Sequence, residues 1–234
     1  MNPAALPLLD QALLVLAAMA LFTAFALLAQ TRLTAAIHTF AWQGALVAAV
    51  AALTGRASGD AHLYVSALIT LALKVALIPW MLHRLVRRLA LERQADPLEH
   101  PALTLLAGAG IVVFSDWVAE PVAHFDASAT RNVIAISLAI VLLGMLMMVV
   151  RRQAVAQVLG FMAMENGLFL AAVASTHGMP LVVELGVAFD VLVAMVLFGV
   201  FFLQIKNSID SLDIDRLSQL AEPVEDDDVR GDAP

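Results

Sequence analysis

Glu165 and Asp190 stand in two consecutive apolar runs, each about twelve residues from the turn centred on His177-Gly178. Folded back as a tight helical hairpin, at ~1.5 Å of rise per residue, the two runs would carry both carboxyl groups roughly 18–19 Å from the turn. That depth is near the middle of a hydrocarbon layer ~30 Å thick. An acid there costs at least ~2.5–3.5 kcal/mol on insertion scales, so two acids at matching height point to a use. The chemistry open to them is proton transfer. A desolvated acid stays neutral unless a base or water is close, and exchanges its proton when one is. The alternative for each is a protonated carboxyl that only hydrogen-bonds a neighbouring helix. Asp190, with the shorter side chain, needs a closer partner or a bound water.

Two further groups belong with this pair. Glu184 precedes Asp190 by six residues, which is ~9 Å along a helix and about 120° round it, so it lies nearer the outer surface on another face. It fits a proton-exchange group at the end of a path, or an interfacial anchor. Lys74 is the one base inside an apolar run, again close to the midplane. His62, Ser66, Thr70 and Lys74 recur every four residues and draw a polar stripe towards the centre. Pro79 removes the amide that would bond the Val75 carbonyl, which predicts a kink and a free acceptor beside the lysine. Lys74 is expected either in a hydrated path or in an ion pair with an acid on another helix or subunit.

These groups must be held by membrane helices. The chain is 62% hydrophobic and 14% charged over 234 residues, far more apolar than an ordinary soluble domain. The composition predicts an all-α, polytopic bundle in the lipid bilayer. Spans are expected near Ala12–Ala29, Ala35–Leu53, Leu63–Leu82, Ala102–Val118, Val133–Val150, Ala154–Ser175 and Leu181–Ile205. The first run lacks a basic flank and is expected to stay as a helix. Arg32, Arg84, Arg87, Arg88, Arg93, Arg151, Arg152, Lys206, Arg216 and Arg230 all fall on the side reached after odd-numbered spans, whereas Arg56 and Arg131 fall on the other. That asymmetry predicts seven spans, an outside N-terminus and a cytoplasmic C-terminus, in a multi-pass protein of the cell (inner) membrane.

Three parts are expected: residues 1–101, a three-helix part with a basic loop; 102–205, a four-helix part; and 206–234, an acidic tail, mostly disordered. Gly44-Ala48-Ala52 and Thr104-Gly108 repeat small residues every fourth position, which predicts close helix packing. Pro101 can open the fourth helix at its first position. The net charge of −7 comes largely from the tail, and no basic patch suggests nucleic acid. With no cysteine, thiolate-held clusters and disulfides within the chain are excluded. His38 and His83 share one side but sit at span ends, so the histidines speak against haem. No cofactor or metal is expected, and no catalytic constellation appears.

The segments Arg151-Arg152-Gln153, Leu159-Gly160-Phe161-Met162-Ala163-Met164-Glu165-Asn166-Gly167, Val183-Glu184-Leu185-Gly186-Val187-Ala188-Phe189-Asp190 and Leu212-Asp213-Ile214-Asp215 together resemble the K subunit of respiratory complex I. They are also similar to the C subunit of multisubunit cation/proton antiporters. This likeness covers roughly residues 130 to 220. The whole chain resembles component E of hydrogenase-4, whose extra N-terminal part has a segment like Ser66 to Pro79. The resemblance implies a non-catalytic membrane subunit of a complex I-like hydrogenase or formate hydrogenlyase. Its partners would be antiporter-like subunits and the membrane anchor of the catalytic arm. Glu165 and Asp190 would take the positions of the two membrane glutamates of the K subunits. An aspartate at the second position departs from that pattern. A structural scaffold, or an antiporter subunit without redox partners, stands as the alternative.

Overall fold

A computed structural model describes residues 8–59, 61–88, 100–121 and 128–176, with single positions between 186 and 199. All regular structure among the described residues is helical: α1 (Leu8–Ala29), α2 (Leu33–Ser58), α3 (Ala61–Leu71), a π turn (Ala72–Leu77), α4 (Ile78–Arg88), α5 (Pro101–Ala119), α6 (Ser128–Val150) and α7 (Ala154–Thr176). Six stretches are long and apolar enough to cross a membrane, with α3, the π turn and α4 contributing a single one. This is the all-α, multi-pass bundle that the composition requires. The expected seventh span lies mostly outside the described residues, as do the 89–99 loop, Glu184, Asp190 and the 206–234 tail. Where that span is described, at Gly186, Ala188, Val191 to Val193, Met195, Val196 and Gly199, it is helical.

Helices that are apolar nearly all round cannot choose their partners by burying an oily face, because lipid is equally apolar. Backbone proximity decides instead. The tightest pairing is α6 with α7, and three glycines make it possible. A methyl group on Gly144 would lie 2.6 Å from the Met164 nitrogen, one on Gly160 3.0 Å from the Gly144 carbonyl oxygen, and one on Gly167 2.9 Å from that of Ser137. The expected small stripes pack as well. Gly108 sits under Phe25 and Leu143, and Gly44 under Lys74.

Around this hairpin α2 holds the central place, touching α1, α3, the π turn, α4 and α7. The helix α5 leans on α6 and grazes α1, leaving most of its surface outward. Residues 1–195 form one compact unit.

The ends of the helices agree with the predicted parity. At the turn between α6 and α7, buried Arg151 reaches across to α1 and donates from Nη2 to the Leu28 carbonyl oxygen at 2.8 Å and to that of Gln30. A guanidinium there satisfies carbonyls that a helix C-terminus leaves open, and it meets the negative end of the helix dipole. The turns after the first and fifth spans therefore lie on one side. On the other, Arg131 of α6 pairs with Asp116 of α5 at 3.1 Å. Pro101 opens α5 as expected, directly after His100.

Pro79 acts differently from a simple kink. The residues before it widen into a π turn, in which the Ile78 amide bonds the Leu73 carbonyl five residues back. The widening shifts the preceding carbonyls, with which a proline ring otherwise collides. Lys74 lies in that turn.

Candidate functional site

Three helices bring the site together, each for a local reason. The π turn interrupts the α-helical register and turns Lys74 inward. Gly44 on α2 leaves room for its stem, since a methyl group there would come within 2.9 Å of the Lys74 Cβ. On α7, Glu165 and its neighbour Asn166 both face the lysine.

Lys74 is fully buried. Its Nζ forms an ion pair with Glu165 Oε2 and donates to Asn166 Oδ1 at 2.7 Å. The Asn166 amide donates to Gln43 Oε1 at 3.2 Å, and Gln43 Nε2 donates to the Ala20 carbonyl oxygen of α1 at 3.4 Å. The Phe169 ring lies 5.9 Å from the ammonium, within reach of a cation–π attraction. Gln43, Lys74 and Asn166 are 0% exposed, and Glu165 is 6% exposed. A polar network of this kind in an apolar bundle holds only when its members satisfy one another.

One atom departs from that rule. Glu165 Oε1 is buried with no hydrogen-bond partner among the described residues. It faces Gly186, where an added methyl group would lie 3.4 Å from it and 3.1 Å from Phe169. The carboxylate is two-sided: Oε2 is engaged by Lys74, while Oε1 is turned to the helix that follows.

Of the residues singled out in the sequence, Lys74 and Glu165 are thus joined directly. Glu184 and Asp190 lie outside the described residues, so the expected level of Glu165 with Asp190 stays an expectation. Of the polar stripe, Thr70 is buried one turn before Lys74, and the side chains of His62 and Ser66 are outside the described set. Gln43 and Asn166 were not foreseen. The available signal was a carboxamide inside an apolar run beside a small residue: Gln43 before Gly44, and Asn166 before Gly167.

No family model matches the chain, and no solved structure does. Over 189 residues it is 35% identical to the uncharacterized protein Rv0085 of Mycobacterium tuberculosis, an alignment covering 80% of this chain and 86% of that one. The chain belongs to the Rv0085 family. A more distant relative of this Rv0085-family chain is hydrogenase-4 component E of Escherichia coli K12, 29% identical over 147 residues, which cover 63% of this chain and 68% of that protein. The Shigella flexneri protein of that description matches to the same extent.

Proposed function

We propose that the chain is a non-catalytic membrane subunit of a complex I-like hydrogenase assembly, in which Lys74 and Glu165 form the centre of a proton relay continued by Asp190 and Glu184. The hydrogenase part of the reading is supported by the likeness to hydrogenase-4 component E. The proton part is carried by one observation: a buried Lys74–Glu165 ion pair whose second carboxylate oxygen has no hydrogen-bond partner among the described residues.

The physics follows from that asymmetry. With both groups ionised, the pair is locally neutral and tolerable in a bundle of low dielectric. A proton arriving on Oε1 leaves a neutral acid beside an ammonium. The lysine then loses the counter-charge of Glu165, and the added positive charge favours passing a proton onward. The partners in this reading are antiporter-like membrane subunits and the anchor of the catalytic arm.

The test is Glu165→Gln, alone and with Asp190→Asn, in a complex shown to assemble. Proton pumping is expected to be lost while electron transfer is spared. Unchanged pumping overturns the relay. A native gel showing failed assembly assigns the pair a structural role within the bundle, favoured by its complete enclosure. Nickel-site and iron–sulfur subunits encoded beside the gene are expected, and a run of antiporter genes alone would replace the hydrogenase reading with the transporter one.

A further inference from the structure

Two histidines whose positions at span ends speak against haem meet in the fold. His38 of α2 and His83 of α4 pack edge-to-face, with ring centroids 4.7 Å apart and planes at 77°. Each ring is fixed in the same way. His38 Nδ1–H donates to the Thr34 carbonyl oxygen at 2.8 Å, and His83 Nδ1–H donates to that of Pro79 at 2.9 Å. A carbonyl oxygen can only accept, so both Nδ1 atoms carry hydrogen and both Nε2 atoms of the neutral rings are proton acceptors. Neither Nε2 has a partner among the described residues. His38 is exposed and His83 half-buried, so the pair steps inward from the surface.

The same two helical spans hold the relay. Gln43 follows His38 by five residues and Lys74 precedes His83 by nine, or about 7 and 13 Å along the helix axes. Phe40, Ile78 and Leu82, all fully buried, fill the interval. We propose that the His38–His83 pair is the site where protons load onto the chain from its arginine-rich side, before crossing that apolar layer to Glu165. This rests on the relay reading for its acceptor.

The charges around the pair agree with a transient carrier. The charged groups at this end of the packed elements are Arg32 before α2, Arg84 and Arg87 on α4, and Arg151 and Arg152 before α7. No carboxylate lies at this end among the described residues. A proton taken from water by one Nε2 makes an imidazolium with no counter-ion among the described residues, and a second charge on the touching ring is disfavoured. The proton therefore passes on and the first ring returns to its neutral state, with the Glu165 carboxylate as the acceptor beyond the apolar layer. Histidine suits this step because it changes charge near neutral pH.

The experiment uses the assembled complex in sealed vesicles, with His38→Ala/His83→Ala and Glu165→Gln made in parallel. The double histidine variant is expected to assemble and to pump on the order of a hundredfold more slowly, the lower end of what losing a proton-transfer group costs. Imidazole added on the arginine-rich side is expected to restore pumping to this variant and not to Glu165→Gln. Wild-type pumping in the histidine variant overturns the proposal, and so does a loss that imidazole leaves uncorrected, since that marks a packing role. If Glu165→Gln alone keeps pumping, the relay reading falls, while imidazole rescue of the histidine variant would still assign loading to the pair.

Discussion

Replacing Glu165 with leucine takes from the buried Lys74 cation its carboxylate partner on α7, while the Asn166 and Phe169 contacts remain. Breaking a buried ion pair from one side costs about 3–5 kcal/mol, whereas replacing both partners with apolar side chains of similar volume is often near neutral. Glu165→Leu is therefore expected to lower the thermal midpoint in detergent sharply, and Glu165→Leu/Lys74→Met to recover most of the loss. A double variant as unstable as the single one would show that the pair does not act as a unit. The sequence made both charges visible, because each stands near the middle of an apolar run, but it left Lys74 between a hydrated path and an ion pair. Which groups Lys74 meets depends on helix rotation, which the π turn changes, and the fold sets it against Glu165. Asn166 and Gln43 escaped for a related reason. Neutral amides are tolerated singly in apolar runs, and their meaning appears only when two of them touch across helices.

Helix pairing turns on single methyl groups. At Gly144 an added carbon would meet backbone of α7 at 2.6 Å, and backbone cannot swing aside as a side chain does. At Gly110 on α5 nothing lies within 4 Å. Gly144→Ala is accordingly expected to destabilise the bundle by at least about 1–3 kcal/mol, as overpacking does. Gly110→Ala should be neutral, or stabilising by up to about 1 kcal/mol through helix propensity. Thermal unfolding of the two variants side by side checks this, and equal midpoints would sink it. Gly44 and Gly108 were legible in the sequence because their stripes repeat along one helix. The α6–α7 contact was not, because its glycines are divided between two helices, Gly144 on α6 and Gly160 and Gly167 on α7. Pro79 was legible as a disturbance but not as a π turn, since removal of one amide bond permits either outcome.

At the scale of the molecule, the arginines and the fold give the same sidedness. Charge counting divides the turns into two sets, and the Arg151 contact with the end of α1 joins two members of the richer set in space. Two exposed probes are available on each side: Thr31 and His100 with the arginines, Ala57 and Glu120 opposite. Because the chain has no cysteine, Thr31→Cys, His100→Cys, Ala57→Cys and Glu120→Cys each introduce a lone thiol. If basic turns are retained in the cytoplasm, a membrane-impermeant maleimide should label Ala57→Cys and Glu120→Cys in intact cells. Thr31→Cys and His100→Cys should react only after permeabilisation. The reverse pattern would invert the bundle and move the His38–His83 pair to the outer face. Labelling of Thr31→Cys and Ala57→Cys from the same side would break the alternation of spans, since α2 alone separates them and must cross the bilayer for the two to differ.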